Sequence, residues 1–129
     1  MIEKLQISTP KVLSTKNLIL GEGPLWIPEL KSIMWLDIKG KSLHTFSYNS
    51  NNFTNKKLVK TTTWILPILD SNSFLVGTED GIEEYNFKEN RFDLKLSIEE
   101  KIPNNRLNDA KIDKNGNLWF GTMDDSEKE

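Results

Sequence analysis

The sequence contains no cysteine, which excludes disulfide bonds and every metal site built on thiolates. Its only histidine is His44, so a zinc site based on histidines is excluded as well. No apolar run approaches the roughly 20 residues needed to cross a bilayer. The N-terminal residues Met1 to Gln6 lack the apolar core of a signal peptide. Together these absences predict a cytoplasmic protein.

The chain also lacks a charge excess of either sign. Seventeen basic and nineteen acidic side chains give a net charge of -2, and like charges do not form long runs. No basic patch for nucleic acid or for an anionic membrane follows from this balance. With 129 residues, the chain has room for one ordinary domain.

Short apolar runs separated by polar turns predict an all-β fold. Ile33–Ile38 is typical of a buried strand, and Asp80-Gly81 between two apolar runs indicates a hairpin, since glycine accepts positive φ at low cost. Asn115-Gly116 predicts a two-residue turn in a second hairpin. The best helical candidate is 94–101, but it lacks a sustained apolar face. The four tryptophans lie in or beside apolar runs, and we expect them in the core: Trp26, Trp35, Trp64 and Trp119.

A repeat underlies these strands. Three times, an apolar run is followed by a turn and a second apolar strand, and the second strands begin roughly 41 to 44 residues apart. This interval matches a four-stranded propeller blade, although a meander in a β-sandwich gives similar regularity. The recurring Gly77-Thr78 and Gly121-Thr122 favour the propeller.

Two polar segments precede the repeats and are candidates for chemistry. Glu22 lies between two glycines immediately before a strand, where a sharp backbone bend could present its carboxylate at the strand end. Arg106, Asn108 and Asp109 precede the third repeat. An asparagine carbonyl is a hard oxygen ligand for Ca²⁺ or Mg²⁺, and an arginine offers a planar set of donors. Taken singly, each segment is better explained as a solvated turn or polar loop.

A hydrolytic triad has little support. His44 lies in a strand, and the sequence has no Gly-x-Ser-x-Gly elbow.

Read together, three segments resemble the family of gluconolactonases, regucalcin and luciferin-regenerating enzyme. The matching segments are Gly21–Trp26, Trp35–Ile38 and Arg106–Asp109, and the last match continues through Gly121-Thr122-Met123. The resemblance spans Leu20 to about Asp124, with order and spacing in agreement.

The resemblance implies a six-bladed β-propeller with one divalent cation in its axial channel and a sugar lactone or similar ester above it. Ca²⁺ is the expected cation, with Zn²⁺ and Mg²⁺ as alternatives. By matching positions, Glu22 and Asn108 resemble metal ligands, and Arg106 and Asn108 resemble substrate-binding residues. The acidic residue that contacts sugar in some members falls within 124–127.

Six blades need about 240–270 residues at roughly 40–45 per blade. We therefore expect residues 1–129 to be the N-terminal part of a single propeller, with two and a half to three blades, and the catalytic base to lie beyond the chain. On this view the isolated chain has little lactonase activity, and a second chain could supply the missing blades. The alternative is a non-catalytic binding or structural propeller fragment.

Overall fold

The computed structural model describes residues 8–127, which form ten β-strands and no helix. The strands are β1 (Gly21–Ile27), β2 (Ser32–Asp37), β3 (Ser42–Ser47), β4 (Asn52–Lys57), β5 (Thr62–Pro67), β6 (Ser73–Thr78), β7 (Gly81–Asn86), β8 (Arg91–Ser97), β9 (Asn105–Ile112) and β10 (Leu118–Asp124). This confirms the all-β prediction. The described part of the chain accordingly offers no helix that could cross a membrane.

The strands form three antiparallel sheets in which neighbours in space are neighbours in sequence. Sheet 1 has the order β1-β2-β3-β4, sheet 2 has the order β5-β6-β7-β8, and sheet 3 consists of β9 and β10. Each of the three predicted repeats coincides with the first two strands of one sheet. Two complete four-stranded units and one half unit are present among the described residues.

Tight turns connect the strands. Four of them end on a non-glycine residue in the left-handed region, Lys31, Lys41, Asn51 or Asn90, with φ of 43°, 46°, 49° and 54°. The predicted hairpin at Asp80-Gly81 is confirmed, and Gly81 begins β7 with φ of 135°. A side chain at Gly81 would also place its Cβ 2.2 Å from a backbone carbonyl oxygen of β8, so this position requires glycine on two counts.

The hairpin between β9 and β10 is confirmed, but the predicted two-residue turn is wrong. The pair Ile112–Leu118 encloses five residues, and the Gly116 amide donates to the Asp113 carbonyl oxygen over 3.0 Å. The central turn residues are therefore 114 and 115, and Gly116 follows them with φ of 84°. The Asp113 carboxylate stabilises this longer loop by accepting the amides of residues 115 and 117.

A β-bulge occurs in the first strand of every sheet, between Glu22 and Leu25 in β1, between Thr62 and Trp64 in β5 and between Leu107 and Ala110 in β9. Two cross-strand pairs between the first and second strands recur in all three sheets. Between these two pairs, the first strand of each sheet has one residue more than the second strand. The first common pairs are Gly21–Asp37, Thr62–Thr78 and Leu107–Thr122. The second are Leu25–Met34, Leu66–Leu75 and Lys111–Trp119. This register makes Glu22, Thr63 and Asn108 equivalent positions of the repeat.

Sheet 2 lies between the other two sheets, and the core has two layers. The first layer joins sheets 1 and 2 through Ile27, Met34, Leu36, Leu43, Ile65, Phe74, Val76 and Tyr85. The second joins sheets 2 and 3 through Trp64, Ile82, Leu107 and Ala110. Burial of each large apolar side chain contributes about 1.5–3 kcal/mol, so stacking of the sheets is the main source of stability.

The expectation that all four tryptophans are core residues is wrong. Trp64 is 3% exposed, but Trp26 and Trp119 are 47% and 67% exposed. Both exposed residues lie on the terminal sheets, on the faces directed away from sheet 2. The best helical candidate, 94–101, belongs in large part to β8.

A non-strand segment precedes β1 and is anchored by Asp37. This carboxylate accepts the backbone amides of Ile19, Leu20 and Gly40 over 2.9–3.1 Å. Burial alone would raise the pKa of Asp37, but these three amides and nearby His44 outweigh it and hold the pKa below its ordinary value.

Candidate metal and substrate site

The first strands of the three sheets are neighbours, because β5 contacts both β1 and β9. In each of these strands one residue directly follows the first common pair, and these equivalent residues are Glu22, Thr63 and Asn108. Thr63 is buried and its Oγ1 donates to the Gly77 carbonyl oxygen over 3.3 Å. The other two side chains are exposed.

Glu22 owes its position to the flanking glycines. Gly23 has φ of 62°, a conformation that L side chains rarely adopt, and this residue turns the backbone within the bulge. The Glu22 carboxylate makes no hydrogen bond or ion pair with residues 8–127, so all its lone pairs remain available to a ligand. Such an oxygen donor suits a hard divalent cation.

Asn108 and Asp109 lie opposite Gly121 in the bulge of β9 but have different surroundings. The Asn108 side chain has no hydrogen-bond partner within the described range. The Asp109 carboxylate binds the Lys111 ammonium group over 2.9 Å and the Ala110 amide over 2.8 Å. Lys111 is the main reason that the pKa of Asp109 lies below its ordinary value. Of the two side chains, Asn108 is the one free to bind a cation.

Arg106 is buried and rigidly held. Its Nε donates to the Asp125 carboxylate over 2.6 Å, and its Nη1 donates to the Leu107 carbonyl oxygen over 3.0 Å. Asp125 also accepts the Lys39 ammonium group over 2.8 Å, which joins sheet 1 to sheet 3. Lys39 first, and then Arg106, lower the pKa of Asp125 and keep it ionised. The remaining guanidinium N–H groups are available to a ligand.

Arg106 borders a cleft of about 700 Å³ between sheets 2 and 3. Carboxylates dominate its polar lining: Glu79, Asp80, Glu99, Glu100 and Asp125. Arg106 is the only basic residue in that lining. Neither Glu22 nor Asn108 lines the cleft. Within 8–127, no three acidic or histidine side chains come together as a metal site.

His44 lies in β3, where its Nε2 is 2.9 Å from the Ser42 Oγ and its ring stacks on Trp35. Burial lowers the pKa of His44, with the Asp37 charge acting in the opposite direction. No carboxylate hydrogen-bonds the ring among the described residues, so the three-member relay of a hydrolase is not assembled there.

Sequence reasoning missed two contributors to this region. Lys39 lies in a turn, and nothing local indicates that it meets an acid 86 residues later. Thr63 could not be found by aligning the repeated Gly-Thr pairs, because that alignment places Trp64 at Asn108.

Comparison with known proteins identifies the family. Residues 20–129 match the profile of the SMP-30/Gluconolactonase/LRE-like region. The chain belongs to this family. Two relatives, from Bacillus subtilis and Rhizobium meliloti, carry the name "Putative sugar lactone lactonase" and are 30% identical over 104 and 113 residues. Regucalcin from Xenopus laevis is 22% identical over 104 residues.

Two solved structures share the fold. Luciferin-regenerating enzyme aligns with a TM-score of 0.77 and 32% identity over 84% of the chain. A regucalcin from Agrobacterium tumefaciens, described as a calcium-binding protein, aligns with a TM-score of 0.81 and 30% identity over 89% of the chain. These alignments confirm a partial six-bladed β-propeller and the resemblance inferred from the sequence.

The chain is much shorter than these proteins. It covers 35% and 38% of the two lactonase-type relatives and 37% and 39% of the two solved structures.

Proposed function

We propose that this chain carries part of the metal and substrate site of a divalent-metal-dependent lactone hydrolase. One observation carries the proposal: Glu22 and Asn108 each follow by one residue the first common pair of their sheet, Gly21–Asp37 and Leu107–Thr122. Both side chains are exposed and free of hydrogen-bond partners among residues 8–127. The family relatives named after sugar lactones point to the substrate class.

The two donors fit a hard cation only in part. A carboxylate and an amide oxygen are suitable for Ca²⁺, with Zn²⁺ or Mg²⁺ as alternatives, but Ca²⁺ takes six to eight oxygen ligands. Further donors must come from water or from another polypeptide segment, and a second chain that supplies more blades would provide them. We therefore propose weak binding by the isolated chain.

Arg106 is assigned to substrate binding. Asp125 fixes the Nε side of the guanidinium, which leaves the opposite edge to donate to the ring or hydroxyl oxygens of a sugar lactone. Asn108 would contact the cation and the substrate together. A bound divalent cation would polarise the lactone carbonyl and promote attack by water. We assign no catalytic base to this chain and propose that residues 1–129, as the N-terminal part of one propeller domain, have little activity alone.

Calcium-dependent thermal stabilisation tests the metal ligands, because a ligand that binds only the folded state raises its stability. Calcium at about ten times its dissociation constant stabilises the folded state by about 1.4 kcal/mol. We expect the shift to disappear in Glu22→Gln and Asn108→Ala and to persist in Glu29→Gln. Glu29 is a matched control because it is an exposed glutamate in the turn after β1. An equal shift in all four proteins would refute the assignment.

A lactonase assay tests the rest. The purified chain should hydrolyse gluconolactone at or near the uncatalysed rate. Metal-dependent turnover that is lost on Asn108→Ala would contradict the proposed inactivity while supporting the ligand.

A non-catalytic binding or structural propeller is the second candidate. It is favoured by the finding that no three acidic or histidine side chains come together as a metal site within residues 8–127. Absence of any calcium response, combined with full folding of the wild type, would support this candidate.

A further inference from the structure

The sequence contains a single asparagine that is followed by glycine, Asn115, and it lies in the loop between β9 and β10. Its side chain is exposed and makes no hydrogen bond with residues 8–127. Gly116 has no Cβ, and a Cβ built there would meet no atom within 4 Å. The space beside the Gly116 backbone is therefore open.

This exposure is a property of the loop and does not depend on the position of sheet 3. The loop between β5 and β6 is its counterpart in sheet 2, whose first strand contacts both other sheets. Residues 69–72 of that loop are all exposed, and Leu69 is 89% exposed. A loop of this kind is thus open to water even where its sheet has a neighbour on either side.

Hydrogen bonds to Asp113 hold the loop between β9 and β10 closed. The Gly116 amide donates to the Asp113 carbonyl oxygen over 3.0 Å. The Asp113 carboxylate accepts the amides of Asn115 and Asn117 over 2.8 and 2.9 Å, and the indole Nε1 of Trp119 over 3.1 Å. Because hydrogen bonds to a charged acceptor are stronger than neutral ones, this carboxylate keeps the Gly116 amide engaged.

We propose that Asn115 is a deamidation site and that Asp113 sets its rate. When the loop opens, the Gly116 amide nitrogen gives its proton to hydroxide and attacks the carbonyl carbon of the Asn115 side chain. A nitrogen–carbon bond forms, the bond from that carbon to Nδ2 breaks, and the departing nitrogen takes a proton from water and leaves as ammonia. Water then opens the cyclic imide at either carbonyl carbon, which leaves aspartate or isoaspartate at residue 115.

Water is the co-reactant in this step, and nothing is oxidised or reduced. The inference rests on the loop and is independent of the proposed lactonase function.

Either product changes the loop. A carboxylate at residue 115 adds a negative charge close to the Asp113 carboxylate, and the two like charges repel each other. Isoaspartate also inserts a methylene group into the backbone between the paired residues Ile112 and Leu118. Because β9 ends at Ile112, deamidation loosens the end of the strand that carries the candidate site.

Peptide mapping by mass spectrometry tests the site in the folded chain. During incubation at mildly alkaline pH, residue 115 should gain about 1 Da and separate into an aspartate and an isoaspartate product. Asn72 is the matched control, because it is exposed in the counterpart loop of sheet 2 but is followed by Ser73. It should remain unchanged, because Ser73 is buried in β6 and its Cβ hinders attack by its own amide.

Two substitutions test the role of Asp113. Asp113→Ala should raise the rate of deamidation at least about fivefold, because the charge-assisted hydrogen bonds that oppose opening of the loop are lost. Lys114→Ala is the matched control, since its side chain belongs to the same loop and makes no hydrogen bond or ion pair with residues 8–127. Its rate should equal that of the wild type. Circular dichroism checks that both variants are folded.

Three results would overturn the proposal. An unmodified Asn115 in both the wild type and Asp113→Ala would show that residue 115 is not a deamidation site. Modification of Asn72 at the same rate as Asn115 would contradict the role of Gly116. Equal rates in the wild type and Asp113→Ala would contradict the control assigned to the carboxylate.

Discussion

Gly77→Ala should destabilise the protein strongly, although it adds a single methyl group. A Cβ at Gly77 would lie 2.1 Å from Nε1 and 2.3 Å from Cε2 of Trp64. Non-bonded carbon atoms prefer about 3.5–4.0 Å, so the indole must move by more than ~1 Å. Trp64 is buried in the layer between sheets 2 and 3, where close packing leaves little room.

The expected loss lies between two limits. Overpacking a well-packed core costs about 1–3 kcal/mol. Complete expulsion of the indole would expose ~150–250 Å² of surface and cost ~4–6 kcal/mol at 25 cal/mol per Å². We therefore expect a loss of about 2–4 kcal/mol in the free energy of unfolding, measured by urea titration with far-ultraviolet circular dichroism.

Gly121→Ala is the internal control. Gly121 is the glycine of the second Gly-Thr pair, but a Cβ there meets no atom within 4 Å. Its unfolding free energy should stay within about 0.5 kcal/mol of the wild type. The Trp64→Phe background should reduce the cost of Gly77→Ala, because the three nearest atoms all belong to the five-membered ring that phenylalanine lacks. Equal stabilities for the two alanine variants would refute this packing argument.

Three further predictions concern buried ionisable groups. Glu83→Ala should lower the free energy of unfolding by about 1–3 kcal/mol in a urea titration, because Glu83 is 1% exposed and binds the Lys60 ammonium group over 2.7 Å. Asp80→Asn should lower it by less, because the second carboxylate bound to Lys60 is half exposed. In the folded state, His44 has a pKa below its ordinary 6.5, so the unfolded state binds more protons near this pH. The Tm should therefore fall as the pH drops from 7.5 through 6.5. His44→Gln should reduce this dependence of the Tm on pH. Asp37 has a pKa below its ordinary 3.8, so it contributes stability above pH 3.8 that is lost on further acidification, and Asp37→Asn should weaken that loss.

Each of these predictions has a contrary result. Equal losses for the two acidic substitutions would show that Lys60 does not depend on its buried partner. An unchanged slope in His44→Gln would exclude the sole histidine as the titrating group. Identical acid unfolding of wild type and Asp37→Asn would contradict the role of the three amides.

The strands and their order could be predicted from the sequence because their determinants are local. Alternating apolar residues, Asp80-Gly81 and the residues around Gly116 specify hairpins between strands that adjoin in the chain. The same patterns could not predict the length of the turn at 113–117. There the Asp113 carboxylate accepts two backbone amides and stabilises a longer loop.

Burial and long-range contacts could not be predicted in this way. Trp64 and Trp119 both lie in apolar runs, and only the stacking of sheets decides which of them is covered. The ion pairs of Asp125 with Arg106 and with Lys39 depend on how sheet 1 approaches sheet 3. Family resemblance assigns Glu22 and Asn108 as metal ligands, and the structure adds that they occupy equivalent register positions in β1 and β9.

The nearest-neighbour order of the strands has a consequence for biosynthesis. Each strand among residues 8–127 pairs with the strands that adjoin it in the chain, so one sheet can form while the next is still inside the ribosome. The Lys39–Asp125 ion pair cannot form until residue 125 has emerged, 86 residues after Lys39. Its formation would report that sheets 1 and 3 have come together.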